Sequence, residues 1–128
     1  MSNERILVVD DHPTNRKLVC DLLGWFGYEV SQATDAEQAI EAIRHNRPDL
    51  ILMDIGLPGM DGLTLTRQLK ADEATREIRI LALTAFAMKG DRQRALAAGC
   101  DGYVAKPINT RGFPEQVARC LRGEPVLS

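Results

Sequence analysis

Four short apolar runs recur along the chain, and each is stopped by a polar residue. Ile6-Leu7-Val8-Val9 is stopped by Asp10 and Asp11, Leu50-Ile51-Leu52-Met53 by Asp54, Ile80-Leu81-Ala82-Leu83 by Thr84, and the weaker Tyr103-Val104-Ala105 by Lys106. A run of that length between polar brackets suits a strand covered on both faces, the usual state of a strand in a parallel sheet. Between the runs the apolar pattern becomes helical. Leu18, Val19, Leu22, Leu23 and Phe26 recur at i, i+4 spacing, as do Ala36, Ala39, Ile40 and Ile43. Leu65 with Leu69, then Ala95 to Ala98, then Phe113, Val117, Cys120 and Leu121 supply three more helical faces. Tyr28 to Ala33 is left as a strand of mixed polarity, which suits a sheet edge.

Strict alternation of strand and helix predicts an α/β fold: a doubly wound, five-stranded parallel sheet with helices on both faces and right-handed crossovers. Boundary signals agree. Pro13 stands in a first helical turn, Gly27 and Gly99 stand where helices should stop, and Gly62 follows the turn Pro58-Gly59-Met60-Asp61. The last helix begins anywhere from Thr110 to Pro114, because Gly112 and Pro114 both fall near its first turn. With 128 residues the chain suits a single domain, 1–128, with a core over about 4–122 and a frayed tail from Gly123 to Ser128.

Composition narrows the function classes. Apolar residues make up 45% and charged residues 27%, and 16 basic against 18 acidic side chains give a net charge of −2. That balance and the scatter of Lys and Arg disfavour binding to nucleic acid through bulk charge. No segment approaches the roughly 20 apolar residues that span a bilayer, and Met-Ser-Asn-Glu-Arg is no signal peptide, so a cytoplasmic protein that does not engage a membrane is expected. Cys20, Cys100 and Cys120 lack metal-ligand spacing and read as reduced, buried thiols.

The chemistry is concentrated where the strands end. In an open parallel sheet, ligands bind outside the carboxyl ends of the strands, and here those ends carry Asp10, Asp11, Asp54, Thr84 and Lys106. Each has an ordinary structural role when taken alone: Asp10 and Asp11 as helix caps, Asp54 as a turn former, Thr84 as a cap, Lys106 as a solvated charge. Together they make one site. If the first and third strands are neighbours, carboxylates about 4 Å apart at an effective dielectric of 20 repel by roughly 4 kcal/mol per pair. A hard divalent cation would settle them, and Mg²⁺ fits better than Ca²⁺ because few carboxylates and several retained waters suit an octahedral shell. Lys106 adds a mobile positive charge suited to a phosphoryl oxygen. His12 and His45 read as surface residues, with His12 near enough to the acidic pair to tune it.

From Ile6-Leu7-Val8-Val9-Asp10-Asp11, through Leu52-Met53-Asp54-Ile55-Gly56-Leu57-Pro58-Gly59-Met60-Asp61-Gly62, to Leu83-Thr84-Ala85 and Ala105-Lys106-Pro107, the chain resembles the receiver domain of two-component response regulators, the CheY-like fold. The stretch Leu83 to Asp91 looks closest to DivK-type single-domain regulators and to receivers of hybrid histidine kinases. The resemblance implies the sheet order 2-1-3-4-5 of the flavodoxin-like fold. It implies that Asp54 is the phosphoacceptor, that Asp10, Asp11, Asp54 and the backbone carbonyl of Gly56 hold Mg²⁺, and that Thr84 and Lys106 sense the phosphoryl group. Tyr103 takes the place of an aromatic that turns inward behind the threonine. Gly56 and Leu57 depart from many relatives, which carry a polar residue and a methionine there, and this bears on phosphoryl lifetime. The phosphodonor would be a histidine kinase or histidine phosphotransferase. The output would pass to a downstream protein, or to a second copy of the chain on phosphorylation, through the fourth helix (roughly Lys89 to Ala98), the fifth strand and the fifth helix. In that role the chain catalyses only its own phosphorylation and dephosphorylation.

Three other classes fit less well. An aspartyl-phosphate phosphatase typically has Asp-x-Asp after the first strand, where this chain has Asp10-Asp11-His12-Pro13. A flavin carrier needs a phosphate loop there, and Asp10-Asp11 would repel the phosphate. A receiver-like module that no longer takes phosphate usually lacks the acidic pair, the acceptor or the lysine, and all are present here.

Overall fold

The computed structural model describes residues 4–55, 62–84, 91–105, 108–124 and 126–127. The chain runs β1 (Arg5–Val9), α1 (Pro13–Trp25), β2 (Glu29–Ala33), α2 (Ala36–His45), β3 (Leu50–Asp54), α3 (Gly62–Ala71), β4 (Arg79–Thr84), α4 (Asp91–Ala98), β5 (Gly102–Ala105), α5 (Phe113–Leu121) and β6 (Val126–Leu127). The strands form one parallel sheet in the order β2-β1-β3-β4-β5-β6, so the expected order 2-1-3-4-5 is present and extended by one strand.

The continuous apolar runs are strands with two buried faces. Successive side chains point to opposite faces, and the cores divide accordingly. Leu7, Val9, Ile51, Met53, Ile80 and Ala82 pack with α2, α3 and α4. Ile6, Val8, Leu50, Leu52, Leu81 and Leu83 pack with α1 and α5. β2 is the expected mixed-polarity edge, with only Ala33 buried.

Two expectations need correction. The helical pattern of α1 includes Leu18 and Phe26, yet Leu18 is 43% and Phe26 52% exposed; Val19 and Leu23 are buried on the sheet, with Leu22 and Cys20 partly buried beside them. Leu18 lies about 100° around the helix from Val19, and Phe26 is the residue after the helix end. The tail, expected to fray, instead forms β6 beside β5, with Val126 only 4% exposed. The cause is a turn that folds the chain back. After α5, Gly123 has φ +82°, its N–H donates to Cys120 O, and the N–H of Glu124 donates to Arg119 O. This left-handed glycine cap also ends α1 at Gly27 and α4 at Gly99. α5 itself starts at Phe113 with Gly112 as its cap and Pro114 in the first turn, inside the expected range.

Candidate functional site

Two adjacent strands bring the acidic residues together. β1 pairs with β3 in register Val9↔Met53, so Asp10 and Asp54, one residue further on each, leave the sheet side by side. Asp10 is fully buried and held from several sides. Its Oδ1 accepts the His12 N–H at 2.9 Å, its Oδ2 accepts the Asn15 side-chain amide, and its backbone carbonyl accepts Arg16 Nη1 at 2.9 Å. These bonds also start α1, whose cap residue His12 makes no side-chain cap bond, with Pro13 at the first helical position. Asp54 is the last residue of β3 and 4% exposed.

Ligand atoms of Asp10, Asp11, His12 and Asp54 all lie within 4.8 Å of one another. His12 Nδ1 lies 3.4 Å from Asp10 Oδ1, 3.2 Å from Asp11 Oδ1 and 3.9 Å from Asp54 Oδ2, while its side chain remains 64% exposed. His12 is therefore a surface residue beside the acidic pair, as expected, and its ring also reaches Asp54, which was not. The signal was available: a histidine two residues after Asp10 and just before a helix-starting proline lies in the turn that bends back over the strand end.

The oxygen Oδ1 of Asp11 is buried and accepts no hydrogen bond. His12 Nδ1 stands 3.2 Å from it without hydrogen-bond geometry, and a buried carboxylate oxygen that accepts no hydrogen bond is costly unless a cation completes it. Three carboxylates, one with a buried oxygen that accepts no hydrogen bond, form a hard, oxygen-rich donor set, and they fit a divalent ion of the Mg²⁺ type.

The sequence marks Gly62 as the residue that follows a turn, and in the fold it also positions Asp54. A Cβ there would collide with the carbonyl oxygen of Asp54 and come within 2.8 Å of Ile55 Cα. α3 thus starts flush against the end of β3. Its first turn is tied by the buried Thr66, whose hydroxyl donates to Gly62 O at 2.7 Å. Thr84 ends β4 with Ala105 as its register partner across β5. Tyr103 is 4% exposed and packs in the α2–α3–α4 cluster. Gly56 and Lys106 lie outside the described residues, as do Pro107 and the expected turn Pro58-Gly59-Met60-Asp61.

The family model for the response regulator receiver domain matches residues 6–118. The chain belongs to the response regulator receiver domain family. It is a receiver of two-component signalling. The receiver is 44% identical over 116 residues to the polar-differentiation response regulator DivK of Brucella anthropi, covering 91% of this chain and 94% of the relative. Among solved structures it is similar to the receiver domain of a sensor histidine kinase from Pseudomonas aeruginosa, which has a magnesium ion coordinated in its active-site cleft. That likeness has 37% identity and a TM-score of 0.85, over 94% of this chain and 99% of that one. The chemotaxis response regulator CheY4 of Vibrio cholerae is 28% identical with a TM-score of 0.86, over 93% and 99%. No helix among the described residues is long and apolar enough to cross a membrane.

Proposed function

We propose that this receiver, a single domain over 1–128, takes a phosphoryl group from a phosphohistidine onto Asp54. A carboxylate oxygen of Asp54 forms the new O–P bond while the P–N bond of the donor breaks, and the imidazole of a histidine kinase or histidine phosphotransferase leaves. Asp10, Asp11, Asp54 and the Gly56 carbonyl would hold Mg²⁺, which when bound neutralises charge on the transferring oxygens. The observation that carries this reading is the convergence of Asp10, Asp11 and Asp54, with a buried Asp11 Oδ1 that accepts no hydrogen bond.

The rest of the chain supplies positioning. Asp10 is locked by His12 N–H and Asn15, so its oxygens face the site without a search for rotamers. Gly62 lets α3 press on the backbone of Asp54. Lys106 would meet the phosphoryl oxygen, and Thr84 would draw toward it, with Tyr103 relaying the change through β5. The changed face of α4, β5 and α5 would be read by a downstream protein or by a second copy. Hydrolysis of the acyl phosphate, the domain's own second activity, would reset it. The free thiols Cys20, Cys100 and Cys120 suit a cytoplasmic compartment.

The test is intact mass after exposure to acetyl phosphate and Mg²⁺. Wild type should gain one phosphoryl group, and Asp54→Asn should gain none while its circular dichroism stays unchanged. Full labelling of Asp54→Asn would overturn the assignment.

A further inference from the structure

The sheet's edge at β5 is closed by a segment held in an unusual way. We propose that the outer edge of β5 is a strand-accepting site, filled here by the chain's own Val126–Leu127, and that a partner protein enters it by displacing this tail with an extended apolar segment of its own.

The site has a shape. β5 and β6 pair in parallel with Gly102 opposite Val126 and Tyr103 opposite Leu127. A Cβ on Gly102 would stand 3.1 Å from Val126 Cβ, 3.0 Å from Val126 O and 2.8 Å from Leu81 Cδ1. The missing side chain at 102 is therefore a notch, and Val126 fills it, joining the cluster of Leu81, Val104, Phe113, Val117 and Cys120. In strand addition the backbone bonds supply affinity and such side-chain seats supply selectivity.

The occupant is held by a removable device. Glu124 is clamped by Arg122 Nε at 2.6 Å and Arg119 Nε at 3.5 Å, and Glu115 stands 3.6 Å from Arg122. These side chains are 45% to 68% exposed, so salt and solvent weaken the clamp. One buried side chain, a two-residue ladder and exposed ion pairs place β6 at the low-stability end of the fold, where local opening occurs.

The tail is also the template for its competitor. Arg119 and Arg122 complement an acidic residue, and the notch takes a β-branched one two positions later, as Glu124 and Val126 do. The partner segment is thus acidic, then apolar and extended. That it serves output rests on the function proposed above, whereas the strand site itself does not.

The test uses full-length protein without phosphodonor or Mg²⁺, and a fluorescein-labelled peptide copying residues 122–128, read by fluorescence anisotropy. Val126→Asp, which empties the notch, should bind the peptide roughly tenfold more tightly than wild type, since a competing internal occupant is gone. Glu124→Arg, at an exposed position that leaves the core intact, should give a smaller gain in the same direction. A peptide with Asp at the Val126 position should not bind. If Val126→Asp melts without cooperativity, Glu124→Arg decides alone. No gain in the folded variants overturns the proposal. Mass gain at Asp54, measured on the same variants, fails separately: peptide binding without phosphorylation would leave the strand site standing and remove the functional reading.

Discussion

The two ends of the sheet both gather charge and treat it in opposite ways. At the amino ends of β4 and β5, the Lys70 ammonium donates to Arg76 O at 3.1 Å, Ile78 O at 2.8 Å and Asp101 Oδ2 at 2.9 Å. The Asp101 carboxylate also accepts the Ile80 N–H at 2.8 Å and has Arg79 Nη1 at 3.7 Å. An ammonium has three protons, and all three are used. At the carboxyl ends of β1 and β3, three carboxylates face one another with an exposed imidazole against them, and one buried oxygen accepts no hydrogen bond. The first arrangement is complete as protein. The second becomes complete only with a cation, and this marks it as the working end.

Substitution should separate the two ends by sign. Lys70→Met removes the partner of a carboxylate whose side chain is only 25% exposed and frees two backbone carbonyls. We expect a loss of about 2–3 kcal/mol in urea unfolding, with phosphoryl uptake at Asp54 unchanged. Asp54→Asn should do the reverse in the presence of EDTA. It abolishes uptake and stabilises the fold by about 1 kcal/mol, a fraction of the repulsion of a close carboxylate pair. If both variants destabilise alike, the two ends do not differ in kind.

Divalent ion should act at one end alone. At tenfold excess over its dissociation constant, Mg²⁺ stabilises by about 1.4 kcal/mol through mass action. Wild type and Lys70→Met should both show this shift in melting temperature, and Asp10→Asn and Asp54→Asn should show little of it. A shift that survives in Asp10→Asn would place the ion elsewhere.

The same contrast explains what could be read from the sequence. The acidic site was legible because a residue that stops an apolar run must stand at a strand end, and strand ends of a parallel sheet converge. The Lys70–Asp101 pair was not, since it spans 31 positions and depends on where α3 ends relative to the start of β5. β6 was half legible. Gly123 carries the helix-stop signal that Gly27 and Gly99 carry, and the segment after it reads as a frayed tail because it is so short. What makes two residues a strand is the notch at Gly102, which only the folded register reveals. Gly62 was legible only as the residue after a turn; that its missing side chain makes room for the backbone of Asp54 shows only in the fold.

Alkali should probe the closed end most gently. Burial pushes the Cys100 thiol up to about 11 and Cys120 up to about 12, with the nearby Asp101 carboxylate adding to both; burial also pushes Cys20, on α1, up to about 11. In the unfolded chain these thiols ionise near the ordinary value of 9.0. Above that value the unfolded state has released protons that the native state keeps, so stability is fully present below pH 9 and falls as pH rises toward 11 to 12. The first step is small, roughly 0.3 kcal/mol per buried thiol between pH 8 and pH 9. Urea midpoints at those two values should therefore drop slightly for wild type and less for Cys100→Ala and Cys120→Ala, whatever each substitution costs at pH 8. Cys120→Ala should flatten the dependence at least as much as Cys20→Ala, because its thiol stays protonated over the wider range. An equal slope in wild type and in all three variants would mean that these thiols ionise alike in both states, and that the amino end is less sealed than its hydrogen bonds imply.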